Sequence, residues 1–197
     1  PGGYSKIFEE AQGAGATGVT TLTIFAKRAG ASEGDVTIDG VGNHCSATAH
    51  VFQGALTSGT AWGVGSGNGG TTSGITITGL DTPEDNCLVI PITTSTRDTI
   101  TSSQFSNWTN ANLSDLTERE DNLTSQGAGG GHGLATGGKA SAGSTGNTTV
   151  TSATAAAWRC VHVYLRPEPD VGGQPTQVRT QGVPTGSGYR ARPGSWN

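Results

Sequence analysis

Residues 19–39, VTTLTIFAKRAGASEGDVTID, decide the fold class. Two alternating runs flank a polar link, Thr21-Leu22-Thr23-Ile24-Phe25-Ala26 before it and Asp35-Val36-Thr37-Ile38-Asp39 after it. Leu22, Ile24 and Ala26 share one face of the first run, and Val36 and Ile38 share one face of the second. Polar residues hold most of the opposite positions, the period-2 pattern of a half-buried antiparallel strand. Gly30-Ala31-Ser32-Glu33-Gly34 supplies glycines where a short connection needs positive φ. The pattern predicts a hairpin of these two runs.

Composition agrees with that start. The chain has 197 residues, 32% hydrophobic and 13% charged, with 33 glycines and no methionine. A disordered polyelectrolyte would carry more charge, and a helical protein would favour Ala, Leu, Glu and Lys over Thr, Ser and Gly. A thin β-sandwich or barrel with long polar loops fits. The net charge of −4 excludes a general nucleic-acid grip, which needs a basic stripe. No apolar run approaches the roughly 18 residues of a membrane span, and no signal peptide is visible at Pro1-Gly2-Gly3-Tyr4. Cys45, Cys87 and Cys160 lie far apart in apolar or alternating runs, which suits buried free thiols, with one disulfide plus a spare thiol as the alternative.

Further strands are expected at residues 4–10, at 43–53 with Cys45, Ala47, Ala49 and Val51 on the buried side, and at 75–78. Residues 54–74 read as a Gly/Ser/Thr loop carrying Trp62. The near-continuous Cys87-Leu88-Val89-Ile90 marks a central strand, with Pro91 indicating an edge, a bulge or the end of pairing. Residues 100–126, with Phe105 and Trp108, suit either a capped helical turn near Asn112 or Ser114 or an exposed strand at 117–120. A glycine tract and a small-residue strand or loop lead to strands at 148–154 and 158–165. Two units result: a β-sandwich over 1–166 and an extended Pro/Gly/Arg arm over 167–197 that cannot bury a core of its own. Arg179, Tyr189, Arg190, Arg192 and Trp196 are the arm's candidate assembly residues, with an unbound tail as the plainer alternative.

Several motifs resemble chemistry without its context. Gly30-Ala31-Ser32-Glu33-Gly34 matches a nucleophile elbow, yet a strand follows where that turn needs a helix. Gly13–Gly18 and Gly65–Gly70 match G-x-G-x-x-G but open onto β segments, so neither cradles a dinucleotide. His44 and His50 share a strand face roughly 20 Å apart, too far to share an ion. His162 is expected at a surface or interface. Asp81/Glu84/Asp85 and Asp115/Glu118/Glu120/Asp121 lack the spacing of an EF-hand loop. Sequons at Asn107, Asn112, Asn122 and Asn147 are expected by chance in a chain rich in Ser and Thr.

The pieces Thr21–Ala29, Asp35–Ile38, His50–Ala55, Gly131–Val150 and Tyr164-Leu165-Arg166-Pro167 together resemble β-sandwich modules of tailed-bacteriophage structural proteins. Such modules usually begin with further strands before a Pro-Gly-Gly-Tyr-like segment, so the numbering starts inside the domain or a neighbour supplies those strands. The tail after Pro167 lies outside the family pattern and points to assembly. The expectation is an all-β antiparallel sandwich, jelly-roll-like or immunoglobulin-like, that acts without enzymatic activity or cofactor on the exterior of a virion. The resemblance implies tail, tail-fibre or head-decoration roles, with other virion proteins and copies of itself as partners and no nucleic acid or membrane. Trp62 and Trp108 are the candidate contacts for a host surface glycan or partner. The alternative is a secreted carbohydrate-binding or adhesin module.

Overall fold

The computed structural model describes residues 2–13, 19–38, 45–97, 103–124, 129–169, 173–183 and 190–191. Among them the chain is all-β and every strand pairing is antiparallel. In chain order the strands are β1 (Ser5–Gln12), β2 (Thr20–Ala26), β3 (Val36–Thr37), β4 (Ala47–Gln53), β5 (Trp62–Val64) and β6 (Asn68–Gly70). Then come β7 (Gly74–Ile77), β8 (Asp81–Thr82), β9 (Cys87–Ser95), β10 (Phe105–Thr109), β11 (Ser114–Thr124) and β12 (Gly130–Lys139). The last are β13 (Gly143–Ser144), β14 (Thr148–Ser152), β15 (Trp158–Leu165), β16 (Thr176–Val183) and β17 (Arg190–Ala191).

A six-stranded sheet, β11-β12-β9-β15-β5 with β6 also on β15, forms the middle of the sandwich. On one face lies the three-stranded sheet β10-β14-β7. Its Ile75, Ile77, Phe105 and Val150 pack on Trp158 and Cys160 of β15. On the other face, Phe8 and Leu22 from the β1–β2 ribbon pack on Leu88, Ile90, Ile92, Leu134, Val161 and Val163. Side chains alternate across a strand, so β9 sends Leu88, Ile90 and Ile92 one way and Cys87, Val89 and Pro91 the other. Cover on both faces is why all nine residues of β9 are buried and why its sequence reads as a continuous apolar run.

The expectation of a central strand at Cys87–Ile90 therefore holds, but the reading of Pro91 does not. Pro91 sits mid-strand opposite His162 of β15. Toward β12 the register runs from Ser95 to Ile92 and resumes at Val89, leaving a gap at Ile90 and Pro91. Proline has no N–H to give, and the sheet accommodates it by interrupting the ladder there.

The 19–39 hairpin is also corrected. β2 pairs with β1, from Ser5↔Ala26 to Gln12↔Thr20. β3 pairs instead with β17, Thr37 opposite Arg190. The alternation marked both strands, but period 2 selects a face and carries no information about the partner. The link between them is an excursion in which Lys27 pairs with Glu33. Arg28 donates to the carbonyls of Leu56 at 3.2 Å and Gly59 at 2.5 Å.

The expected 54–74 loop contains two short edge strands, β5 and β6, both on β15. Residues 114–124 form strand β11, which settles the helix-or-strand alternative there. Glycine hid several of these strands and is needed in them. A Cβ on Gly70 would meet Trp158 at 2.5 Å, and one on Gly133 would meet Phe105 at 2.5 Å. The glycine strands leave room for aromatic rings from the neighbouring layer or strand.

Candidate functional site

The two candidate contact tryptophans lie on different sheets. Trp62 is half-buried on β5, with the Arg28 guanidinium 5.9 Å from its ring. Arg28 is itself fixed by the two carbonyls above, so a cation covers part of that ring. Trp108 is on β10, where Asn107 at φ 55° and a register break redirect the strand. Its ring packs against the Phe105 cluster, and its Nε1–H donates to Glu118 at 2.8 Å. Burial holds the Glu118 carboxyl above its usual range, with the indole bond acting the other way. Each indole thus has a partner within the fold and keeps part of its ring at the surface.

Of the candidate arm residues, Arg179 lies in β16, opposite Val51 of β4 in the same chain, and Arg190 lies in β17. Tyr189, Arg192 and Trp196 fall outside the described residues. The segment after Pro167 therefore returns to its own domain over Thr176–Val183, forming a second ribbon, β4–β16.

Strand edges are the other candidate assembly surface, and they differ sharply. β11 borders the middle sheet with Asp115, Glu118, Arg119, Glu120 and Asp121, two register breaks, and Asp115 at φ 51°. Charge and irregularity of this kind discourage edge-to-edge pairing. The opposite border is split between the three-residue strands β5 and β6. The ribbons are less guarded: β2 and β4 are regular strands with one register partner each among the described residues. The large apolar side chains that meet solvent among the described residues are Val19 (55% exposed), Phe25 (37%) and Val178 (50%). All three lie on or beside these two ribbons.

Ser32 is exposed in a link that runs into β3, with no helix behind it. The Gly65–Gly70 motif overlaps β6, and residues 14–18 of the Gly13–Gly18 motif lie outside the described residues. No group of three or more His, Cys, Asp or Glu among the described residues is placed to hold a metal ion. Glu84, Asp85 and Glu168 line an open cleft of about 440 Å3 with Asn86, Pro167 and Pro169. Each of its carboxylates is engaged, Glu84 by Arg166, Asp85 by the Ala142 N–H and Glu168 by the Thr57 N–H.

His162 is not at a surface. It is fully buried between Thr145 (3.3 Å) and Thr148 (2.8 Å), and burial pushes its pKa down to about 4. His50 and His132 meet across layers, an arrangement that one-strand spacing does not reveal. Thr48 Oγ1 lies 3.2 Å from His50 Nε2 and 3.0 Å from His132 Nε2. The outer nitrogens meet Gln177 Nε2 (2.7 Å) and Ser46 Oγ (3.3 Å). His44, the partner weighed from spacing, lies outside the described residues.

The three cysteines are free, which removes the alternative of one disulfide. Burial raises the thiol pKa of Cys87 to about 11 and of Cys160 to about 12, and raises that of Cys45. Nucleophilic thiolate is therefore scarce at neutral pH. In a thiol-disulfide dye assay on the folded protein, half-buried Cys45 is expected to react first. Cys87 and Cys160 are expected to react only on unfolding; prompt release of three equivalents from native protein would contradict this.

Comparison of this chain with protein-family models, with curated proteins and with solved structures finds no match.

Proposed function

We propose that this chain is a non-enzymatic structural protein on the exterior of a bacteriophage particle, at a tail, tail-fibre or head-decoration position. It works without a cofactor and assembles with copies of itself and with other virion proteins. Single exposed apolar residues are ordinary on a soluble protein, and here all three lie on or beside the two ribbons. The observation that carries the reading is the placement of Val19, Phe25 and Val178 on or beside the two ribbons, where β2 and β4 each have one register partner among the described residues. A strand or apolar side chain from a second subunit fits there by edge pairing. The remaining edges carry charge, breaks or short strands. The phage setting itself comes from the motif resemblance of residues 21–29, 35–38, 50–55, 131–150 and 164–167.

Light scattering over a range of concentrations tests the assembly. The protein is expected to associate, and Phe25→Ser combined with Val178→Ser is expected to return it to monomer. An antibody to the chain is expected to decorate purified phage particles. A monomer at high concentration that is absent from such particles sinks the proposal. Glycan-array binding by that monomer, lost in Trp62→Ala or Trp108→Ala, would assign it instead to the secreted carbohydrate-binding modules.

A further inference from the structure

Thr48 and the four polar groups linked through it form one directional chain. A threonine hydroxyl has a single proton, so it donates to only one of the two imidazole nitrogens it touches. Gln177 presents its amide N–H to His50 Nδ1, which makes His50 the Nε2–H tautomer and a donor to Thr48. Thr48 then donates to His132 Nε2, and His132 donates its Nδ1–H to Ser46. The chain runs Gln177 to His50 to Thr48 to His132 to Ser46. It joins β16, β4 and the residue before β4 to β12 of the middle sheet.

We propose that this chain is an acid-sensitive latch holding the β4–β16 ribbon on the six-stranded sheet. A proton arriving on His50 Nδ1 faces the Gln177 amide donor, and one arriving on His132 Nε2 displaces the Thr48 hydroxyl proton, which must rotate out of the chain so that the oxygen accepts from both rings. Turning over the Gln177 amide relieves the first conflict but leaves a charge half-buried beside a second imidazole. Burial lowers both rings to about 4, and His50 further lowers His132 through its charge.

Among the described residues, ionisable groups on the neighbouring elements are the following. On β11, Asp121 accepts the Phe105 N–H, and Glu120, beside Leu134, is raised by burial and by Asp121. Arg159 of β15 pairs with Glu10 of β1, and the Cys45 thiol is raised by burial. β9 contributes Thr94 opposite His132, with its hydroxyl on the Arg159 carbonyl. β16 contributes Arg179 at the register position of Val51. The latch bridges two layers at a place where acid adds like charges.

Hydrogen exchange followed by mass spectrometry from pH 7 downward, corrected for intrinsic exchange, tests it on the full chain. Opening that takes up two protons gains about a hundred-fold per pH unit below the unperturbed histidine pKa. Peptides covering 47–53 and 176–183 are therefore expected to lose protection at higher pH than those covering 87–95 and 158–165, reversibly. The double variant His50→Gln, His132→Gln is expected to abolish that difference. Opening of ribbon and core together, a ribbon protected down to pH 4, or an unchanged profile in the double variant would each overturn the latch. If the double variant does not fold, an NMR titration of the wild-type imidazole carbons decides. His50 and His132 must then titrate where the ribbon opens, and titration at any other pH overturns the proposal.

Discussion

Replacing Phe105 by alanine is expected to lower the unfolding free energy by about 3–5 kcal/mol, the range for removing a large aromatic ring from a packed core. Phe105 is 1% exposed and lies between the three-stranded sheet and the middle sheet, against the bare backbone of Gly133. With glycine opposite, the β12 side offers no side chain at that point to swing into the space. Collapse of the cavity would instead require movement of β12, which is tied to β11 and β9 along most of its length. Domains of this kind have roughly 5–15 kcal/mol in total, so the change removes a large share. Equilibrium urea unfolding checks it. A loss below about 1 kcal/mol would mean that the two layers do not pack as described.

The second large effect is acid destabilisation. His50, His132 and His162 are each held near 4 by burial, against an ordinary value of 6.5. Between those limits the unfolded chain binds protons on these rings and the folded chain does not. Stability from this source is complete above about pH 6.5 and is lost as the pH falls toward 4. Each histidine contributes a slope of about 1.4 kcal/mol per pH unit, so the three together give about 4. Glu118, Glu120 and Asp121 act in the opposite sense, because burial raises their carboxyls and the folded state takes up those protons first. Urea midpoints measured at half-unit intervals from pH 7.5 to 4.5 are expected to fall most steeply below 6.5. If the ribbon latch releases while the core stays folded, the slope should drop from three protons toward one at that point. A midpoint that does not move across this range would show that the histidines are solvated.

How much of this was legible in the sequence depended on whether side chains or backbone carried the information. β9 and β15 could be read because cover on both faces leaves its mark directly on the residue pattern. β2 and β3 were legible as strands and illegible as partners. The alternation at Leu22, Ile24, Val36 and Ile38 reports a buried side, and β1 and β17 meet that requirement as well as a hairpin would. β5, β6 and much of β12 were hidden by glycine. A residue without a side chain shows no periodicity, although its bareness is what admits Trp158 and Phe105. The ribbon β4–β16 joins residues more than a hundred positions apart, beyond any local signal.

The candidate site was legible only as a residue inventory. Trp62 and Trp108 were singled out for size, and the structure engages one with Arg28 and the other with Glu118. Arg28 and Glu118 gave no sign of those roles. His162 was misread because a polar residue in an alternating strand suggests solvent, while Thr145 and Thr148 supply the buried partners that make the core position tolerable. The pairing of His50 with His132 needed the stacking of layers, although Ser46, Thr48 and His50 already shared one face of their strand.

The position of β15 has a kinetic consequence. It is the strand between β9 and the β5/β6 border, and it supplies Val161 and Val163 to one core cluster and Trp158 and Cys160 to the other. A ribosome making this chain delivers β9 before both of its neighbours, so the central strand waits with both flanks open until β12 and with one flank open until β15. Neither hydrophobic cluster can close until its β15 members have emerged, Trp158 and Cys160 for one and Val161 and Val163 for the other. Such non-local topology favours slow, late folding and leaves Cys87–Ile92 exposed in the interval. Chains truncated before β15 should therefore be aggregation-prone even though most of their strands are present.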